Sequence, residues 1–137
     1  MNRILCLQRS VFRIPLVHRF AHGKSINAEE FDLKWEQFFR RPEIDGWELR
    51  KGLNELQGGD IIPQPKILLA IFDACRKLNE HSVAVRYLEA LEWKCNTYDK
   101  NIYPWIMQEI GSKIKELGIS TPKEMGIDKP EYVLKKY

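Results

Sequence analysis

No stretch of this sequence is long and apolar enough to cross a bilayer. After residue 20, the longest apolar run covers residues 67–72, far short of the roughly 20 residues that a spanning helix needs. The alternation of apolar and polar residues that is typical of strands is also missing over any length. We therefore expect an all-helical chain that would lie at the surface of any membrane where it works.

Cysteine and histidine are scarce. The three cysteines, Cys6, Cys75 and Cys95, include no C-x-x-C pair. Cys75 and Cys95 can pair, but reduced and packed thiols are the preferred interpretation because free cysteine behaves as a small hydrophobe. His81 does not stand at the close ligand spacing of a structural zinc site from either cysteine. We expect no metal bound by this chain.

The sequence signatures of catalysis are missing as well. Gly58, Gly59 and Asp60 lack the Gly-Lys-Ser/Thr ending of a phosphate loop, and they are typical of a turn. The carboxylates fall in predicted first turns or on polar helix faces, where they favour the helix dipole. Without a nucleophile–base pair or a phosphate loop, the sequence predicts a binding protein that has no catalytic residues and is not an enzyme.

The positive charge is confined to one end of the chain. The formal net charge is +3, but residues 1–20 hold four of the 22 basic residues and no acid, which leaves 18 basic residues against 19 acids in the rest. Because residues 21–137 have no excess of positive charge, they would release few counterions from a phosphate backbone, which argues against a nucleic-acid partner. For the four tryptophans, packing in a core or an interface is therefore favoured over base stacking.

Residues 1–20 have the features of a mitochondrial transit peptide, being rich in arginine and free of acid. As a helix, this segment would place Ile4 and Leu7 on the face opposite Arg9 and Arg13, which is a basic amphipathic pattern. A secretory signal would need an unbroken apolar centre, and the arginines interrupt every such window. An ordinary folded helix is the other alternative.

The predicted processing site lies between Phe20 and Ala21. Arg19 stands at the second position before this bond, as in sites of the processing peptidase. We therefore predict two regions: a cleaved transit peptide at 1–20 and a helical domain at 21–137.

Capping signals predict two helices in the first half of the domain. Asn27 with Glu30, and Asp45 with Glu48, have the spacing of capping boxes. Pro42 is expected to end the first helix. The second is expected to end at Gly58–Gly59, in left-handed conformations.

Three more helices are predicted in the second half. Pro65 suits the first turn of the third, Ser82 is predicted to cap the fourth, and Pro104 lies in the first turn of the fifth, which Gly118 closes. A further single turn is predicted to start at Thr121 with Glu124 as its partner. The predicted buried side of the fifth helix carries Tyr103, Met107, Ile110, Ile114 and Leu117.

The loops between these helices are short, so successive helices are expected to be antiparallel. The helix pairs at 28–57 and 65–95 begin 37 residues apart, near the period of helical repeats. The predicted fold is therefore all-α, with about five short antiparallel helices in a right-handed superhelix of helix hairpins.

Several motifs occur in an order that resembles one known family. The most diagnostic is PEIDGWELRKGLN at residues 42–54. It follows Trp35–Glu36 and precedes PQPKI at 63–67, ACRKLN at 74–79, IYP at 102–104 and ELGISTP at 116–122. Together these motifs cover nearly the whole predicted domain, which resembles subunit Va of mitochondrial cytochrome c oxidase (subunit VI in yeast). Residues 93–98 and 130–137 depart from the family's pattern.

The resemblance implies a nuclear-encoded, non-catalytic subunit, peripheral to the inner membrane on its matrix side, that contacts other subunits, notably subunit IV. It would support the assembly, stability or regulation of electron transfer from cytochrome c to oxygen. Haem A and copper would belong to other subunits, and this chain would bind no cofactor. A mitochondrial helical-repeat adaptor or an RNA-binding protein is the alternative.

Four residues are candidate fold or interface anchors: Trp35, Trp47, Arg50 and Tyr103. Trp47 stands just past the predicted Asp45 cap, between Ile44 and Leu53, and it is the first residue to substitute as a test of the fold. A buried Trp47 would cost about 3–5 kcal/mol when replaced by alanine, whereas a cost under about 1 kcal/mol would make it a surface or interface residue.

Overall fold

The computed structural model describes residues 27–129. The predicted transit peptide, the Phe20–Ala21 processing site and the tail at 130–137 lie outside the described residues. Between residues 27 and 129 the chain forms five helices and no strand: α1 Ala28–Arg40, α2 Gly46–Gly58, α3 Pro65–Lys77, α4 His81–Tyr98 and α5 Ile102–Glu116. The all-α prediction is confirmed. None of these five helices has the length and apolar character needed to cross a membrane.

Helix α3 is the centre of the fold. It begins at Pro65, whose missing N–H costs nothing in a first turn. Its apolar residues cover a wide face, and seven of them are buried: Ile67, Leu68, Ala70, Ile71, Phe72, Ala74 and Cys75. Each of the other four helices packs against it. The antiparallel arrangement of hairpins and the right-handed superhelix stay predictions.

Helix α1 covers α3 with an aromatic cluster. The cluster consists of Phe31, Trp35, Phe38 and Phe39. The Trp35 ring stacks on Phe39 with 5.8 Å between centroids, and Phe38 meets Phe39 edge-on at 5.1 Å. Trp35 is 8% exposed, so this predicted anchor belongs to the core.

The predicted helix starts are partly confirmed. The Asp45 carboxylate accepts a hydrogen bond from the Glu48 N–H at 2.7 Å, as a cap should. Asn27 precedes α1 but makes no side-chain cap bond. Because Asn27 and Glu30 are both exposed, water can satisfy the first amides of α1.

Ser82 does not cap α4, and that prediction is wrong. Asn79 adopts a left-handed conformation with φ 58°, and the Glu80 N–H reaches back to the Cys75 carbonyl at 2.8 Å. This is a Schellman motif, which turns the chain within two residues of α3. Helix α4 therefore begins at His81, and Ser82 falls inside it.

The end of α2 also differs from the prediction. The helix stops at Gly58 as expected, but Gly59 has φ −78° and ψ 155°, an extended conformation and not a left-handed one. The carbonyls at this end are satisfied by Lys94 of α4, whose ammonium donates to Gln57 at 3.1 Å and to Gly59 at 2.5 Å. The positive charge of a lysine stabilises a helix at its C-terminal end, where the helix dipole is negative.

Lys94 is only 6% exposed. Burial lowers the pKa of this amine, and the nearby Asp60 carboxylate opposes that shift. The lowered pKa means that desolvation of the charge costs the folded state free energy, which the carbonyl contacts at the end of α2 offset.

Replacing Lys94 by methionine tests this cap. Lys94→Met keeps most of the side-chain volume but leaves the last carbonyls of α2 without their donor, so we expect a loss of about 1–3 kcal/mol in the free energy of unfolding. Lys115→Met is the control because Lys115 is exposed on α5. Urea denaturation measures both; equal stability of the two variants would contradict the capping role.

Helices α1 and α2 approach each other at Gly52. A Cβ atom at this position would lie 2.5 Å from Cε1 of Phe38 and 3.1 Å from Cζ of Phe39. Real Cβ atoms essentially never show the 2.5 Å separation, and 3.1 Å is tighter than most real contacts, so the absence of a side chain at Gly52 permits this close packing.

Gly52→Ala should therefore destabilise the protein by about 1–3 kcal/mol, through displacement of the aromatic cluster. Alanine ordinarily stabilises a helix relative to glycine by about 0.5–1 kcal/mol. Gly111 in α5 provides the control, since a Cβ there would meet nothing within 4 Å, and Gly111→Ala should raise the midpoint of thermal unfolding. If both variants shift the midpoint upward, the steric account of Gly52 fails.

Candidate interaction surface

Large apolar side chains remain exposed around the core. Trp47 is 79% exposed, Trp93 72% and Trp105 53%. Leu33, Ile61, Tyr98, Met125 and Ile127 are the other large exposed apolar or aromatic residues between residues 27 and 129. Tryptophan is highly buried on average in proteins and is enriched in interfaces that bind other proteins. Three exposed tryptophans among four therefore mark candidate interaction surfaces.

Trp47 lies in the first turn of α2, on the side that faces away from the core. The buried stripe of this helix consists of Leu49, Gly52, Leu53 and Leu56. Trp47 precedes Leu49 by two positions, or about 200° around the helix, which turns it toward solvent. Of the two positions that the sequence leaves open for Trp47, the structure shows the surface one, and its role as an interface anchor stays a prediction.

Arg50 connects Trp47 to the turn between α3 and α4. Its Cζ lies 5.3 Å from the centroid of the Trp47 ring, within the range of a cation–π contact. Its Nη1 also donates to Oε1 of Glu80 at 2.6 Å. Because the Arg50 side chain is 41% exposed, water screens this pair, and it contributes little to stability. Arg50 thus lies between the Trp47 ring and Glu80, which precedes α4.

A second exposed patch lies at the other end of α4. Trp93 projects from this helix, and Tyr98 at its end donates a hydrogen bond from its hydroxyl to the Asp60 carbonyl at 3.1 Å. This bond ties the end of α4 to the loop between α2 and α3, next to exposed Ile61. Residues 93–98, which depart from the family pattern in sequence, form the last turns of α4 and contribute the exposed aromatics Trp93 and Tyr98.

Tyr103 belongs mainly to the core. It is half-buried at the start of α5 and packs against the buried cluster. Burial raises the pKa of its hydroxyl to about 12, and the charges of Glu92 and Cys95 add to the rise. Tyr103 thus packs against the core, and its role as an anchor stays a prediction.

Both cysteines between residues 27 and 129 are free and buried, so the interpretation as packed, reduced thiols is confirmed. Burial raises the pKa of Cys75 to about 12, with a contribution from Glu80, and it also raises the pKa of Cys95. Since the thiolate is the reactive form of cysteine, both side chains are held unreactive at neutral pH. No group of three metal-ligating side chains assembles within the part of the chain that the structure describes.

Two surface pockets meet on α4. The larger, of about 720 Å³, lies between α4, with Ala90 and Trp93, and the segment after α5, with Asp128, and Gln57 is its one lining residue from α2. The smaller, of about 320 Å³, is a groove between α2 and α4 that shares Gln57 and Ala90 and has apolar walls from Leu53 and Tyr87. The Gln57 amide donates to the Ala90 carbonyl at 3.2 Å, which joins α2 to α4 where the two pockets meet.

The buried core, the unreactive thiols and the exposed aromatics define a small all-α protein with the surface of a binding module. Comparison with known proteins identifies its family. The family model for cytochrome c oxidase subunit Va matches residues 24–127. The chain belongs to this family.

Individual relatives support the assignment. Cytochrome c oxidase subunit 5A, mitochondrial, of Notamacropus parma is 47% identical over 122 residues, which cover 89% of this chain and 79% of the relative. The protein of the same name from Nycticebus coucang is 47% identical over 116 residues, covering 85% and 77%. That of Rattus norvegicus is 49% identical over 110 residues, covering 80% and 75%.

Two tryptophan substitutions test the division between core and surface. Trp35→Ala should lower the free energy of unfolding by about 3–5 kcal/mol, because it removes a buried ring from the α1 cluster. Trp47→Ala should lower it by less than about 1 kcal/mol, because its ring is mostly solvated. Chemical denaturation of the two variants measures both values, and a large loss for Trp47→Ala would place that ring in the core after all.

Proposed function

We propose that this chain is a non-catalytic, peripheral subunit of mitochondrial cytochrome c oxidase that binds other subunits of the complex on the matrix side of the inner membrane. Three exposed tryptophans on a folded helical core, in a chain of the subunit Va family, are the observation that carries this proposal. Residues 1–20 would direct the chain into mitochondria and be removed between Phe20 and Ala21.

The titratable groups support a role without catalysis. Between residues 27 and 129, burial raises the pKa of both thiols and of the Tyr87 hydroxyl, so these groups stay protonated at neutral pH. Lys94 is occupied with the carbonyls of α2. An active site instead tunes such groups toward the operating pH. The chain would therefore act by holding other subunits in place.

The exposed aromatics suit such a role. Interface energy concentrates in a few residues, among which tryptophan and arginine are enriched. Trp47 with Arg50 forms one such pair, and Arg50 also binds Glu80. We propose that this pair contacts a neighbouring subunit, for which the matrix part of subunit IV is the first candidate.

The chain is proposed to bind no cofactor of its own, with haem A and copper held by other subunits. The purified protein should accordingly be strongly helical by circular dichroism and colourless. Its absorption spectrum after incubation with haem provides the test, and a stoichiometric Soret band that survives gel filtration would contradict the proposal.

Removing the chain from cells should lower the amount of assembled oxidase and the total oxygen consumption together. Turnover per remaining oxidase haem should stay nearly unchanged, because the chain would hold neighbouring subunits and not take part in electron transfer. Native gels, spectroscopy and respirometry measure these three quantities. Normal abundance of the complex with a strongly altered turnover would contradict the structural role and indicate regulation instead.

Variants of the chain, expressed in the cells that lack it, test whether Trp47 contacts a neighbouring subunit. Loss of a buried interface tryptophan costs about 2 kcal/mol or more, which corresponds to roughly 30-fold in affinity. Trp47→Ala should therefore restore less assembled oxidase than the unaltered chain, and Trp47→Phe should restore an intermediate amount. Full restoration by Trp47→Ala would remove Trp47 from the interface without affecting the family assignment.

A further inference from the structure

Trp47 is the most exposed of the large apolar side chains between residues 27 and 129, but Arg50 contacts its ring. The side chain of Trp47 is 79% exposed, and the guanidinium carbon of Arg50 lies 5.3 Å from the ring centroid. Residues three apart on a helix lie side by side, so Arg50 can cover one face of the ring from the next turn of α2. Among the described residues, no cation covers the rings of Trp93 and Trp105 in this way.

Arg50 is itself held by Glu80. Its Nη1 donates to Oε1 of this carboxylate at 2.6 Å. The backbone next to Glu80 is also fixed, because Asn79 is in the left-handed conformation and the Glu80 N–H donates to the Cys75 carbonyl at 2.8 Å. The carboxylate therefore reaches α2 from a well-defined point in the turn between α3 and α4.

Gly46 leaves the room that this carboxylate occupies. A Cβ atom at Gly46 would lie 3.0 Å from Oε1 of Glu80 and 3.5 Å from Nη2 of Arg50, and 3.0 Å is tighter than most real Cβ contacts. Gly46 is also the first residue of α2, where the positive end of the helix dipole attracts a carboxylate. Glu80 and Arg50 thus meet at the start of α2, one residue from Trp47.

We propose that Glu80 is a positioning residue for the Trp47 anchor. By holding Arg50, it keeps the Trp47 ring in one orientation before a neighbouring subunit binds. A side chain that is already ordered loses less rotamer freedom in a complex, and immobilising one such side chain costs the equivalent of about 2- to 10-fold in affinity. This inference rests on the proposed contact of Trp47 with another subunit, whereas the ordering of the ring is measurable in the free chain.

The Glu80 side chain can be removed with little effect on the fold. It makes no cap bond at the start of α4, and water screens its pair with Arg50, whose side chain is 41% exposed. The matched control is Glu89, which accepts a hydrogen bond from Arg86 at 2.5 Å on α4. Glu89→Ala thus removes an exposed ion pair of the same kind and leaves Arg50 unaltered.

The first test measures the order of each indole N–H in the full chain by its ¹H–¹⁵N heteronuclear NOE, with each signal assigned by its loss in the corresponding Trp→Phe variant. Trp47 should give a higher value than Trp93 and Trp105, although it is more exposed than both. Glu80→Ala should lower the Trp47 value to the range of Trp93, and Glu89→Ala should leave it unchanged. Equal values for the three exposed tryptophans would overturn the proposal, as would a Trp47 value that Glu80→Ala does not change.

A conservative variant separates positioning from a general loss of structure. In Glu80→Gln the amide oxygen can still accept the hydrogen bond from Arg50, so this variant should keep part of the order of the Trp47 ring. Circular dichroism of Glu80→Ala and Glu80→Gln should match that of the unaltered chain. If Glu80→Gln disorders the ring as fully as Glu80→Ala, the hydrogen bond to Arg50 is not what positions Trp47.

The second test uses cells that lack the chain, with the amount of assembled oxidase as the readout. Glu80→Ala should restore an amount between those of the unaltered chain and Trp47→Ala. The double variant should restore as much as Trp47→Ala alone, because Glu80 acts through the ring. A further loss in the double variant would overturn the proposal. Full restoration by Trp47→Ala, with an ordered ring in the free chain, would instead refute the proposed contact of Trp47 with another subunit.

Discussion

The burial of α3 is the constraint on which the rest of the structure depends. This helix is apolar on so wide a face that no single neighbour can cover it, and α1, α2, α4 and α5 each pack against part of it. The other features of the fold serve this arrangement. The α1 aromatic cluster covers one side, Gly52 allows α1 and α2 to approach each other, and Lys94 fixes the end of α2 against α4.

This constraint also separates the core from the surface. Since α3 provides the contact for every other helix, each of those helices has an outer face that the fold does not use. Trp47, Trp93 and Trp105 lie on such faces of α2, α4 and α5. A subunit built in this way can vary its outer aromatics without loss of stability, which suits a protein whose proposed role is to hold neighbours together. The buried thiols contribute to core packing, and the Lys94 amine caps the end of α2.

Much of the fold could be predicted from the sequence, because caps and prolines act locally. The Asp45 cap, the Pro65 start, the Gly118 end and the Thr121 turn are all present as predicted. The structure differs from the prediction where tertiary contacts decide. The size of Trp47 favours burial, but its angular position relative to Leu49 places its side chain on the surface. The end of α2 depends on Lys94, which is distant in sequence. Lys94 stands three residues after Leu91 and one before Cys95, on the buried face of α4. This position in the sequence is the feature that indicates a buried partner for its amine. The groove could not be predicted, because it depends on how far α2 and α4 lie apart.

Native-state hydrogen exchange of the free protein tests the central role of α3 most directly. If the fold depends on burial of this helix, the amides of its buried turns, residues 69–77, should exchange only through global unfolding, with the free energy that chemical denaturation gives. The amides of α1, which packs mainly against α3, should exchange through smaller openings. Exchange of the α3 amides at rates equal to or faster than those of α1 would contradict the account, because the centre of the fold would then open before its periphery.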